Sequence, residues 1–288
     1  MKICITGGSG FIGRNIIETL SSKYTILAPS HKELELLDEG KVENYFKKNK
    51  VDIVIHGSNI GGTKNTINMP NVASTNIRIF FNLARCKKMY KRMIFLGSGA
   101  EYDKSRPIKK IREKDFDLRV PSDEYGFSKY ICSKYIEQTD KIVNLRLFGV
   151  YGKYEDYSLR FISYALCRNI MGLPILINQN VFFDYLYIKD LVKIIDFFIE
   201  NEPHERFFNI GRGEKIDLLT IAKAVNNIAD EKTKIVVERD GLKNEYTCDI
   251  TLLKNRIKDL QYTDFLESLK ELYSYYKSIR GSLDLSGL

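Results

Sequence analysis

Apolar residues in the first half of the chain gather in short dense runs, separated by longer stretches with helical spacing. The runs KICIT at 2–6, YTILA at 24–28, VDIVIH at 51–56, RMIFLG at 92–97 and IVNLRLF at 142–148 each read as a strand. Between them the spacing predicts helices over about 11–21, 39–48, from Pro70 to about 88, and 124–137. Strand–helix alternation of this kind implies a parallel sheet covered by helices on both faces. The near-continuous apolar strands agree, because such strands are buried on two sides.

After Gly152 the rhythm changes. A helix over about 158–169 precedes a strand near 174–177, then FFDYLYI at 182–188 and the helical KDLVKIIDFFI at 189–199. RFFNIG at 206–211, a helix over about 218–229, KIVVE at 234–238 and a tyrosine-rich helix ending near YYKSIR at 275–280 complete the chain. The expected division is a dinucleotide-binding domain over 1–152, with part of 180–206 returning to it, and a smaller α/β substrate lobe over 153–288. A cleft should separate the two. The last eight residues, GSLDLSGL, read as a mobile tail.

Composition narrows the function. The 288 residues are 44% hydrophobic and 28% charged, ordinary values for a globular protein with a sizeable core. No apolar run approaches a membrane span, and the N-terminus enters a strand directly, which reads as neither signal nor transit peptide. Five scattered cysteines with no CxxC, and only three histidines, give neither a zinc spacing nor a disulfide framework. The expectation is a reduced, cytoplasmic protein with no metal. The net charge of +8 is spread over polar helix faces and not gathered into one tract, so nucleic acid is not the expected partner.

TGGSGFIG places Gly7, Gly10 and Gly13 between the first strand and its helix. Glycines there permit a tight turn and let a pyrophosphate approach the backbone N–H groups at Phe11 and Ile12. A strand before the motif and an apolar-periodic helix after it are the context that gives it meaning, a Rossmann-type dinucleotide site. The end of the second strand selects the dinucleotide. An NAD site usually carries a carboxylate there, whereas LAPSHKE puts Ser30, His31 and Lys32 in that place. Hydroxyl, imidazole and ammonium groups can bind the additional phosphate of NADP, and Arg14 is a further cation nearby. The reading is NADP(H).

With TGGSGFIG, YGFSK at 125–129 and LRLFGVYG at 145–152 in order, the chain resembles the extended short-chain dehydrogenase/reductase family that acts on sugar nucleotides. HKELELLD at 31–38 and VDIVIHGSNIGG at 51–62 look most like its GDP-fucose synthase branch. By that resemblance Glu35 and Leu36 lie near the adenine, while Gly61 and Gly62 lie at the nicotinamide end where substrate also binds. Tyr125 would exchange the proton at the sugar's C4 oxygen. Lys129, one helical turn on, would support it and hold the nicotinamide ribose. Ser98 would hold the C4 oxygen.

The stretch GSGAEY at 97–102 then bears on which reaction runs. The family's 4,6-dehydratases place an Asp-Glu pair directly after the position of Ser98; here stand Gly99 and Ala100. Glu101 is displaced by one residue, which on an extended segment points it elsewhere. GDP-fucose synthase epimerises with a cysteine at the position of Ala100 and a later histidine, and DYSLRFISYALCRN at 156–169 has none. What remains is hydride and proton transfer at C4.

Two substrate-side positions also depart from the family: Gly149 replaces an asparagine, and Phe183 an arginine that binds the diphosphate. Arg160, Arg168 and Arg212 are candidates for the missing charge, though exposed arginines are common. Tyr185 and Tyr187 suit core packing, and Asp190 suits a helix N-terminus. The resemblance implies an NADPH-dependent C4 reductase of a nucleoside-diphosphate 4-keto sugar, GDP-linked by the fucose-synthase likeness, serving surface-polysaccharide synthesis, with no membrane partner. It also implies a homodimer through the helices after Pro70 and around Tyr125. A 4-epimerase with tightly held NAD is the nearest rival, and a non-catalytic NADP-binding regulator the third.

Overall fold

The computed structural model describes residues 1–66 and 69–284. In the N-terminal half, strands β1 (Lys2–Thr6), β2 (Thr25–Leu27), β3 (Ile53–His56) and β4 (Arg92–Ser98) alternate with helices α1 (Phe11–Leu20), α2 (Glu39–Lys48) and α3 (Val72–Arg85). A 3-10 turn, Gly99–Tyr102, and the short strand β5 (Ile108–Ile111) precede α4 (Glu124–Ile136), β6 (Ile142–Leu147) and β7 (Gly149–Tyr151). Then come α5 (Phe161–Ile170), β8 (Ile175–Asn180), β9 (Phe182–Tyr187), α6 (Ile188–Glu200), β10 (Phe207–Ile210), β11 (Lys215–Asp217) and α7 (Leu218–Ile228). The chain closes with β12 (Ile235–Leu242), β13 (Tyr246–Cys248), α8 (Thr251–Arg256) and α9 (Phe265–Ser278).

Six strands form one parallel sheet in the order β10-β6-β4-β3-β1-β2. The fold is α/β, a Rossmann-like sheet with a separate C-terminal α/β lobe. The strand order reverses beside β1, where β2 lies on one side and β3 on the other. Ligands of open parallel sheets bind at such a switch point, beyond the strands' carboxyl ends. β3 and β6 are buried along their whole length, which explains the apolar runs of the sequence.

The lobes interleave along the chain. β10 joins the large sheet beside β6, so the return to that sheet extends past residue 206 to Ile210. β5 and β7, from within residues 1–152, belong to the smaller lobe: β5 pairs with β13, and β7 with β9. These strands, with β11, β13 and α8, escaped the sequence reading because runs of three to six residues carry too few periods to register. The tail expected to be mobile is in part anchored. Leu283 is buried, and the Asp284 amide donates to the Tyr157 hydroxyl at 2.8 Å. Residues 285–288 lie outside the described residues.

Candidate active site

The turn between β1 and α1 is shaped by contacts that exclude side chains. Gly7 has φ +77°, and a Cβ on Gly13 would lie 2.2 Å from the Gly7 carbonyl oxygen. The Gly10 amide donates to that oxygen at 3.1 Å, and α1 begins with no side-chain cap, which leaves its first amides for an anion. Gly7, Gly10, Phe11, Ile12 and Gly13 line a cleft of about 350 Å³ at the switch point. This cradle fits a dinucleotide pyrophosphate. Arg14 departs from its expected place: its guanidinium stacks on the Tyr154 ring at 3.6 Å, outside the cleft wall.

A second recess of about 210 Å³ continues from Gly7 to Ser30, His31 and Leu36. Lys32 and Glu35 do not line it; Glu35 accepts the Leu37 amide at 3.0 Å. A carboxylate passed over in the sequence does reach this end. Glu33 accepts both the amide and the hydroxyl of Ser30 at 2.8 Å, and these bonds lower its pKa.

Of the expected catalytic residues, Ser98 and Tyr125 line the cleft opposite, and Lys129 lies buried behind its wall. Ser98 ends β4, and its Oγ accepts the Ala100 amide at 3.1 Å. Asp123 caps α4 by accepting the Gly126 amide at 2.9 Å, placing Tyr125 in the first turn. Gly126 has a packing reason: a Cβ there would lie 2.8 Å from the Ala100 carbonyl oxygen, so α4 docks directly on the Ser98 turn. Lys129 is buried, donates to the Leu96 carbonyl at 2.9 Å, and sits 5.7 Å from the Tyr125 ring centre.

Gly61 and Gly62, with φ of +81° and +87°, form the facing wall. A Cβ on Gly62 would meet the Tyr125 ring at 3.0–3.2 Å. The Asn76 side chain clamps the preceding residue, accepting the Ile60 amide and donating to its carbonyl, each at 2.9 Å. Beneath Thr6, His56 shares a 2.8 Å hydrogen bond with the threonine hydroxyl. Burial and the Lys129 charge depress its pKa to about 3, so the imidazole is neutral.

Of the substrate-side candidates, Ala100 and Arg160 line the cleft. Arg168 and Arg212 do not. Arg168 is buried with its Nε donating to the Pro174 carbonyl, and Arg212 donates to the Thr263 carbonyl at 2.7 Å and pairs with Glu214. Gly99 lies behind the wall, where a Cβ would be 2.4 Å from the Tyr246 hydroxyl and 2.7 Å from the Phe148 ring. Gly149 is likewise fixed by packing, since a Cβ there would lie 2.5 Å from the Asp184 carbonyl oxygen. Phe183 packs on Tyr185 and Tyr246. Asp190 stands in the first turn of α6, as expected, and is buried, where it also pins Thr263 through its amide and hydroxyl, both at 2.9 Å.

Glu101 occupies neither of the dehydratase positions, but not because its segment is extended. The 3-10 turn carries it fully inside, where it accepts from the Ser98 amide at 3.0 Å, Ser133 Oγ at 2.6 Å and Arg146 Nε at 2.7 Å. The Arg146 guanidinium lies beside the stacked rings of Phe116 and Phe207, 4.3 and 4.5 Å from their centres. Burial opposes its charge, and Glu101 and Tyr102 together more than restore it, so its pKa is raised.

Three further titratable side chains line the cleft without a sequence signal: Lys104, Glu155 and Tyr246. Lys104 lies 5.8 Å from the Tyr125 ring centre. Glu155 is buried, accepts from Ser163 Oγ at 2.6 Å, and is pushed up to about 8 by burial against the opposing effects of Ser163 and Arg160. Among the described residues no cluster of metal-ligating side chains occurs and no helix is long and apolar enough to cross a membrane.

A sequence profile of the NAD dependent epimerase/dehydratase family matches residues 3–211. The GDP-L-colitose synthase of Yersinia pseudotuberculosis is 24% identical over 263 residues, covering 83% of this chain and 85% of its own. Among solved structures, the UDP-glucose 4-epimerase of Thermotoga maritima superposes with a TM-score of 0.83 at 23% identity, over 97% of this chain and 99% of that one. The GDP-mannoheptose C4 reductase of Campylobacter jejuni, with NADP bound, gives 0.84 at 17% identity over 96% and 98%.

Proposed function

The chain belongs to the NAD-dependent epimerase/dehydratase family, and we propose that within it the protein is an NADPH-dependent reductase of the C4 keto group of a nucleoside-diphosphate 4-keto sugar. The substrate is GDP-linked, its C3 and C5 centres are left unchanged, and the product serves surface-polysaccharide synthesis. A bound nicotinamide supplies the hydride to C4. Gly7, Gly10 and Gly13 seat its pyrophosphate, and Ser30 and His31 face its adenosine end. Ser98 orients the C4 oxygen, Tyr125 gives its phenolic proton to the alkoxide as that charge develops, and Lys129 stabilises the phenolate left behind.

The observation that carries the reading is the packing at Gly99. Family dehydratases need a carboxylate there, and here the space belongs to the Tyr246 hydroxyl. The family's carboxylate pair is replaced by Gly99 and Ala100, and its epimerising cysteine by Ala100 with no histidine in 156–169; the other titratable groups lining the cleft are Lys104, Glu155, Arg160 and Tyr246. GDP-L-colitose synthase and the GDP-mannoheptose C4 reductase, both GDP-sugar enzymes by name, support the nucleotide, and the second by its name supports the reductase class. A homodimer through α3 and α4 is part of the proposal; Met69 and Phe127 are exposed by that face, at 41% and 36%.

Purified protein offered NADPH or NADH with GDP-, dTDP- and CDP-linked 4-keto sugars should oxidise NADPH with one nucleotide class. A second reading, a 4-epimerase with tightly held NAD, draws support from Glu33 at the ribose end. In that case no oxidation occurs, and NAD is released when the protein is denatured. A non-catalytic regulator, the third reading, is removed by any turnover that disappears in Tyr125→Phe.

A further inference from the structure

We propose that Tyr246 is a positioning residue for Ser98: its phenol donates to Ser98 Oγ and thereby directs the serine's own proton onto the C4 oxygen. The inference rests on the ketoreductase reading and adds a residue from the other lobe to it.

Tyr246 reaches the cleft because β13 pairs with both β5 and β9, which carries the start of the strand to the Ser98 turn. Its ring is held against Phe148, at 4.8 Å between centres, and Phe183, at 6.0 Å. The hydroxyl is therefore fixed where a side chain on Gly99 would otherwise stand, 2.4 Å from the ideal Cβ position. Gly99 follows Ser98 directly and both Ser98 and Tyr246 line the cleft, so the phenol hydroxyl stands one residue from the serine; burial raises its pKa strongly, and it stays protonated and so able to donate.

A serine hydroxyl has one proton and two acceptor lone pairs. The Ala100 amide occupies one lone pair at 3.1 Å. When Tyr246 takes the other, the remaining interaction of Ser98 is donation, and donation is what a ketone oxygen requires. A chain of two hydroxyls ending on the carbonyl also polarises it more than one hydroxyl alone. Catalytic hydrogen bonds of this kind commonly tighten when substrate fills the site.

The test compares steady-state kinetics of the full-length protein as wild type, Tyr246→Phe, Ser98→Ala and the double variant, with NADPH and the active 4-keto sugar nucleotide. Tyr246→Phe should lower kcat about tenfold, the worth of one hydrogen bond, with KM and NADPH affinity little changed. The double variant should be no slower than Ser98→Ala, because the tyrosine acts through the serine. Gly99→Ala, which pushes the phenol aside, should reproduce the Tyr246→Phe loss and covers a Tyr246 variant that fails to fold. Losses that multiply in the double variant, a loss confined to KM, or wild-type kcat in Gly99→Ala would each overturn the proposal. A wild-type protein that oxidises no NADPH with any 4-keto sugar removes the ketoreductase reading, and the proposal with it.

Discussion

Glu101 accepts the Arg146 Nε proton at 2.7 Å, with neither side chain reaching solvent. The same carboxylate holds the Ser98 amide and the Ser133 hydroxyl of α4. One buried ion pair thus ties the strand end that carries Ser98 to the helix that carries Tyr125 and Lys129.

Arg146→Met should therefore be costly. It leaves the Glu101 carboxylate buried without its cation, a loss of about 3–5 kcal/mol in such pairs. Glu101→Gln keeps an acceptor for the Ser98 amide but leaves the Arg146 charge buried without its anion, and should cost a similar amount. Urea unfolding of both variants measures this, and an Arg146→Met protein as stable as wild type would contradict it.

Tyr125→Phe keeps the ring that packs on Gly62 and removes the acidic proton. Turnover should fall by roughly 10²–10⁴, the range for a general acid, while NADPH affinity stays within about twofold. Single-turnover absorbance and fluorescence titration report the two quantities separately.

The Glu155 carboxyl is pushed up to about 8 in the folded protein, above its ordinary unfolded value of about 4.3. The folded state then binds the proton more tightly. Its stabilising effect is complete below the unfolded value and is lost as pH rises through the folded one. Glu155→Gln should remove this dependence, so the wild type's melting temperature should fall relative to the variant's between roughly pH 5 and 9. A constant difference across that window would show that the carboxyl is not raised.

At the adenosine end, His31→Asp places a negative charge on the recess wall that a 2′-phosphate would approach. NADPH should bind about 10–100-fold more weakly, the scale of a charged hydrogen bond, with NADH unaffected or improved. Glu33→Gln should act in the opposite sense and strengthen NADPH binding. If Glu33→Gln instead releases a previously retained NAD, the epimerase reading gains.

The large sheet was legible because its central strands are buried on both faces and are therefore mostly apolar. The meeting of Ser98, Tyr125 and Lys129 follows from the same alternation, which sends the end of β4 and the start of α4 to one edge. Arg146 and Asn144 carried a signal that went unread: two polar residues on one side of a wholly buried strand require a partner, and Glu101 is that partner. Glu155 and Tyr246 carried none. The first lies in a polar stretch without periodicity, and the second begins a three-residue strand whose neighbours are set by long-range pairing. Arg168 and Arg212 misled because an arginine's destination depends on carbonyls that only the folded lobe supplies.

The interleaving of the two lobes has a consequence for the order in which a ribosome delivers them. Ser98, Tyr125 and Lys129 emerge early, yet the large sheet cannot complete its β6 edge until Phe207–Ile210 is made, and the β5 edge stays open until Tyr246–Cys248 follows. The nascent half-protein therefore carries unpaired strand edges through most of its synthesis, the exposed state from which chains aggregate. It gains its full set of edge partners only when nearly all of the polypeptide is in hand.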